Sequence, residues 1–347
     1  MISVISRRSF LAVVGTAAAA ALVRRAGAQA PDINSTGHRI DVHHHFASSS
    51  FIAMMREKQT QGFQVWQSYT PAKAIEDMDK GSVALSLLSI TTPGIWFGDR
   101  QETKRLARQE NEYGARLVAD HPRRFRLLAV LPLPDVDASL REIEYAFDSL
   151  KAVGVGLLSN WKDKWIGDSA FAPVLDELNR RKAFVYTHGA APGCCGGSFV
   201  PGVPEITVEY NTDVSRAIVS LLTSGTADRT PNVTYTLSHG GGTITALAGR
   251  VLGAEASAQR LAATPAVNSR LYHLRRFYYD TAISTSPIQM QALKTLVGSS
   301  QILFGTDYPF GSAAQTAAAL RQSGLGESEL RDIDRNNILR IFPSLIS

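Results

Sequence analysis

Asp41-Val42-His43-His44-His45-Phe46 closes the apolar run Ile40 to Val42 with three consecutive imidazoles. Side chains two apart on a strand face the same way, so His43 and His45 share one side and His44 points to the other. Seven further runs follow: Val83 to Ile90, Phe125 to Leu131, Val153 to Leu158, Ala183 to Tyr186, Val233 to Leu237, Phe277 to Tyr279 and Ile302 to Phe304. Most are rich in Val, Ile and Leu without strict alternation, the pattern of strands buried on both faces of a parallel sheet. Amphipathic stretches separate them. Leu140, Ile143, Phe147 and Leu150 recur at helical spacing behind Asp135 and Asp137 as N-caps, and Phe171, Val174, Leu175 and Leu178 repeat the pattern. Strand-then-helix units of this number predict an α/β fold, a (β/α)8 or TIM barrel. A doubly wound open sheet would announce itself by a glycine-rich dinucleotide turn after an early strand, where this chain carries histidines.

With 44% hydrophobic and 19% charged residues in 347, the chain is globular rather than disordered. Its net charge of +5 is concentrated at one end: Arg7, Arg8, Arg24 and Arg25 stand in residues 1–30 without an acid, which leaves the body at +1. No basic cluster in the body is denser than Arg123-Arg124 or Arg275-Arg276, so nucleic acid is not an expected partner. Residues 1–30 read as an address. Ser6-Arg7-Arg8-Ser9-Phe10-Leu11 precedes an apolar run from Ala12 to Val23, then Arg24-Arg25, then small residues that supply a cleavage site after Ala28 or Ala30, the former preferred because Pro31 would follow the latter. The run is short for a membrane span, and the paired arginines resemble the twin-arginine export signal. An uncleaved amphipathic anchor fits less well, because no polar face interrupts the Ala/Val run. The expectation is a signal peptide over 1–30, one barrel domain over 31–347, a periplasmic or secreted product, and no membrane span after cleavage. Adjacent Cys194 and Cys195 form no disulfide framework and read as two small thiols.

Four of the runs end on residues that chemistry can use. Besides the first, the fifth gives Thr187-His188-Gly189, the sixth Ser238-His239-Gly240-Gly241-Gly242 and the eighth Gly305-Thr306-Asp307-Tyr308-Pro309-Phe310. In a barrel, these C-terminal strand ends form the face on which active sites are built. His43, His45, His188 and Asp307 then make an N3O set for one divalent ion, zinc with manganese as the alternative, leaving a coordination position open. His239 is left as an acid/base group. A single histidine is more often a hydrogen-bonded core residue, but joint placement at strand ends outweighs that reading. His38, His44, His121 and His273 are read as structural. The three glycines after His239 serve either close approach of a ligand or a plain chain turn.

Taken together, Asp-x-His-x-His, the fifth-strand His, His-Gly-Gly-Gly and Gly-Thr-Asp-Tyr-Pro-Phe resemble the amidohydrolase superfamily of metal-dependent hydrolase barrels. Within it they resemble the branch of aminocarboxymuconate-semialdehyde, 6-methylsalicylate and γ-resorcylate decarboxylases. The likeness runs from about residue 38 to 342 and includes Ile75-Glu76-Asp77-Met78-Asp79, Phe125-Arg126-Leu127 and Ile218 to Gly225. It implies metal ligation by His43, His45, His188 and Asp307, with His239 beside the metal-bound water. It also implies that Arg250, eleven residues past His239, reaches a substrate carboxylate across the interface of a homodimer. His188 is followed by glycine where the semialdehyde decarboxylase has proline. That enzyme's second substrate arginine also has no clear counterpart, Arg56 and Lys58 being the nearest basic residues, so a dicarboxylate is not the expected substrate.

The implied activity is a metal-dependent, non-oxidative carboxy-lyase acting on a small hydroxylated aromatic or enoic carboxylic acid. The proton for the ring carbon comes from His239 or from Asp307, an alternative the sequence leaves open. Trp96, with Trp66, Phe97 and Trp161, is a candidate contact for the substrate ring. The rival enzyme is a metal-dependent hydrolase of a lactone, ester or amide. The rival of another class is a periplasmic metal-binding protein without catalysis.

Overall fold

The apolar start and histidine end of the opening segment form one strand, β1 (Arg39–His45), with all seven residues buried. The computed structural model describes residues 38–193 and 200–346, so the leader reading and the Cys194-Cys195 pair lie outside the described residues. After β1 come β2 (Val83–Ser89), β3 (Phe125–Val130), β4 (Gly154–Leu158), β5 (Phe184–His188), β6 (Thr234–Leu237), β7 (Tyr278–Asp280) and β8 (Ile302–Leu303). Each pairs in parallel with the next in chain order. Hydrogen bonds from Val42 N to Phe304 O (3.0 Å) and from Asp307 N to His43 O (2.8 Å) join the last strand segment to the first. The expected (β/α)8 barrel is the fold.

A helix follows each strand: α1 (Pro71–Lys80), α2 (Arg100–Asp120), α3 (Val136–Asp148), α4 (Ala172–Arg180), α5 (Glu205–Thr223), α6 (Ile244–Leu252), α7 (Pro287–Val297) and α8 (Ala313–Arg321). Local chemistry starts them. Thr70, Asp99, Asp135 and Ser286 each accept a first-turn N–H, and Pro71 and Pro287 occupy first-turn positions where no N–H is required. The buried face of α3 departs from the expected stripe. Ala138, Ser139, Glu142, Ile143 and Ala146 face inward, Leu140 and Phe147 are half-buried, and Leu150 lies beyond the helix end. Glu142 turns inward to accept from Arg108 Nη2 and Asn111 Nδ2 of α2, each at 2.9 Å, while Phe147 packs under Arg181, 5.4 Å from its ring centre. Among the described residues, no helix is long and apolar enough to cross a membrane.

Two apolar layers hold the barrel. One cluster includes Ile40, Val42, Leu85, Leu87, Leu128 and Tyr186, and fills the barrel below the strand ends. A larger one, including Met78, Ile143, Leu175, Ile218 and Met290, joins strands to helices. The register of β1 against β2 slips where it matters. Asp41 pairs with Ser86 and His44 with Leu88, so Val42 and His43 together stand opposite Leu87. That β-bulge lets the strand give Val42 to the interior and still turn His43 toward its open end.

Candidate metal centre and active site

At the C-terminal end of the barrel, Nε2 of His43 and Nε2 of His45 are 2.9 Å apart, and each lies 3.1 Å from Oδ1 of Asp307. His188 Nε2 is 3.8 Å from the same oxygen. All four side chains are buried, and one ligand atom from each falls within 4.8 Å of the others, a group that can hold a metal ion. The far side of each imidazole is already engaged. Nδ1–H of His43 donates to Asp280 Oδ2 (2.9 Å), that of His45 to Ser89 Oγ (3.0 Å) and that of His188 to the Gly189 carbonyl (2.7 Å). These bonds orient the rings and turn the three Nε2 atoms toward one point.

His239 lies against this group, its ring centre 5.1 Å from that of His43 and 5.2 Å from that of His188. Its Nδ1–H donates to the Ala282 carbonyl (3.1 Å), and its buried Nε2 has no partner among the described residues. His239 and Asp307 both occupy left-handed backbone conformations, with φ of 54° and 64°. Non-glycine residues adopt these at some expense, and they concentrate at functional sites. A cavity of about 270 Å³ opens over the group, lined by His188 and Asp307 and by mostly apolar neighbours, including Val65, Pro204, Ile206, Tyr210 and Phe310.

The sequence profile of the family described as Amidohydrolase matches residues 40–343. The chain belongs to the amidohydrolase family. This amidohydrolase is 33% identical over 324 residues to decarboxylase yanB of Aspergillus niger, covering 88% of this chain and 87% of the relative. It is 32% identical over 323 residues to the 6-methylsalicylic acid decarboxylase of Penicillium expansum, covering 88% and 97%. Its fold is similar to that of a dihydroxybenzoic acid decarboxylase from Polaromonas, crystallised with manganese and the inhibitor 2-nitroresorcinol. The TM-score is 0.75 at 20% identity, over 88% of this chain and 97% of that one.

The electrostatics of the amidohydrolase site fit a divalent cation. Burial pulls the pKa of His43 down, but Asp280 and Asp307 on its two sides outweigh it and raise it to about 10. Burial lowers His45, His188 and His239 to about 4 each. Burial alone would raise Asp307, yet the charge on His43 beside it outweighs that and holds it well below the usual carboxylate range. Two carboxylates and one imidazolium leave this cluster with one net negative charge. A divalent ion held here in place of the proton on His43 Nε2 would bring the cluster to neutrality.

Not every expected residue reaches the cavity. Trp96 is not among its lining residues, and its ring instead faces Lys162, 5.5 Å from ring centre to Nζ. Trp66 stands behind the wall, with its ring centre 5.9 Å from that of Phe310. Arg250 is exposed on α6 and also does not line the cavity of its own chain. His44 is buried, with Nδ1 beside Asp41 Oδ2 (3.2 Å), and stacks on Tyr308. His38 and His273 meet Asp334 and Asp228. Each glycine after His239 has positive φ and packs against protein, which favours the turn over ligand approach. Asp280 is the residue that sequence reasoning passes over. It ends β7 as His188 ends β5, so the strand-end rule that finds His188 extends to it.

Proposed function

We propose that this chain is a metal-dependent, non-oxidative decarboxylase of a hydroxylated aromatic or enoic carboxylic acid similar to 6-methylsalicylate. One observation carries the reading: three imidazole Nε2 atoms and Asp307 converge beneath a largely apolar cavity, and His239 Nε2 lies beside them without a hydrogen-bond partner among the described residues. The names of the two fungal relatives support the same activity. His43, His45, His188 and Asp307 would hold the ion, zinc by donor type, with manganese as the alternative that the Polaromonas neighbour supports. When bound, the ion supplies a fixed positive charge for the substrate carboxylate and an ortho hydroxyl.

The chain's own residues do the rest. Val65, Pro204, Ile206 and Phe310 grip an apolar ring and keep water from it. His239 donates Nδ1–H to Ala282, so Nε2 is an acceptor at rest. It takes the proton of the substrate hydroxyl or carboxyl. As the carbon–carbon bond breaks and its electron pair stays on the ring carbon, it returns that proton to the same carbon while CO2 departs. Asp307, held ionised among three imidazoles, serves as ligand in this scheme rather than as proton donor.

The reading extends to the assembly and the compartment. Arg250, exposed on its own α6, would meet the substrate carboxylate of a second copy in a homodimer, and the Arg7-Arg8 leader would send the folded enzyme to the periplasm or beyond. A panel of salicylate-type acids, esters and lactones, run with metal content measured alongside, tests the activity. CO2 release from the acids is expected. Turnover of esters or lactones alone makes the protein a hydrolase, and turnover of none leaves only metal binding.

A further inference from the structure

Asp280, at the end of β7, is fully buried, and its carboxylate meets four donors. Oδ2 accepts from His43 Nδ1 (2.9 Å) and from the Tyr186 hydroxyl (3.0 Å). Oδ1 accepts from the backbone N–H of His239 (2.9 Å) and of Ala282 (3.0 Å). Ala282 in turn takes His239 Nδ1–H on its carbonyl, and Gln289 Nε2 donates to the His239 carbonyl at 3.1 Å. One carboxylate thus touches the outer face of a metal ligand from β1, and also holds His239, two residues past β6, in a left-handed conformation that a histidine seldom adopts unaided. All of its acceptor capacity is used, and no neutral side chain of the same size offers four acceptances.

We propose that Asp280 is a positioning residue that fixes His43 and His239 relative to one another, so that ligand geometry and proton transfer depend on the same carboxylate; this rests on the roles given to those two histidines above. Asp280→Asn keeps the size but presents an amide NH2 to a pair of donors. The metal dissociation constant, read by chelator competition, is expected to rise about 10- to 100-fold. At saturating metal, kcat should stay depressed by a similar factor with KM changed less, and adding His239→Ala should cost little beyond His239→Ala alone, because the two act as a unit.

Wild-type metal affinity in Asp280→Asn overturns the proposal. So does full kcat at saturating metal, which would confine Asp280 to His43, and so does a fully additive double variant. If the Asn chain does not fold, Asp280→Ser carries the same measurements. If neither folds, Asp280 serves the barrel rather than the site, and the proposal fails. The wild type and His239→Ala, assayed in parallel, separate the two readings: a wild type that turns over no acid, or an unimpaired His239→Ala, sinks the roles assumed for the histidines, while the metal-affinity arm still reports on Asp280.

Discussion

His43 and Asp307 face each other across the seam between β1 and the segment after β8, joined by the Asp307 N to His43 O bond of 2.8 Å. Replacing either by alanine removes a donor from a four-donor group, so His43→Ala and Asp307→Ala should lose the ion on dialysis. Metal analysis that finds wild-type content in both would show the ligands to lie elsewhere. His239→Ala should keep the ion and lose about a hundred- to ten-thousand-fold in kcat, the usual contribution of an acid/base group. Lost metal would instead make His239 a ligand. At this scale the group that could hold a metal was legible because its members close apolar runs, and strand ends of a barrel share one face. Asp280 closes the run Phe277 to Tyr279 as His43 closes Ile40 to Val42, but a lone aspartate after a strand carries no motif of the kind that His-x-His or His-Gly-Gly-Gly does. Trp96 and Arg250 sit on a loop and a helix, where neither period nor strand end says which way a side chain turns.

Gly242 shows what an element demands of one position. Its φ is 65° and ψ −124°, and a Cβ there would lie 1.8 Å from the Asn211 carbonyl oxygen of α5. Gly242→Ala should therefore destabilise the fold by at least the 1–3 kcal/mol, roughly, of a strained backbone, read as a lower midpoint in chemical denaturation; an unchanged midpoint would mean that the turn relaxes freely. On α4, the hydrogen bond from Arg180, with help from Arg181, outweighs slight burial and lowers Glu177 from 4.5 to about 2. A depressed carboxylate stabilises fully above its ordinary value, and loses that contribution as pH falls from there toward about 2. Glu177→Gln should accordingly cost below about 1 kcal/mol at pH 7, a surface-pair magnitude, with the gap from wild type narrowing at pH 3. A gap that widens in acid contradicts the assignment. The helices themselves were legible from spacing and caps such as Asp135. The inward face of α3 was not, because Glu142 is drawn inward by Arg108 and Asn111 of α2, partners that the spacing of apolar residues does not reveal.

At the scale of the whole molecule, the eight-fold alternation was readable since both faces of every strand are covered, and the bulge at Val42-His43 was hidden because it changes register without changing composition. The same barrel gathers the metal group, His239 and the apolar cavity at one end, and the account stands or falls on what that end does to an acid. The most direct test incubates metal-loaded enzyme with 6-methylsalicylate in deuterium oxide and follows product and CO2 together by NMR and gas analysis. The prediction is one CO2 per acid consumed and 3-methylphenol bearing a single deuteron on the carbon that carried the carboxylate. Acid left intact by an enzyme that binds its metal and opens esters or lactones would contradict it.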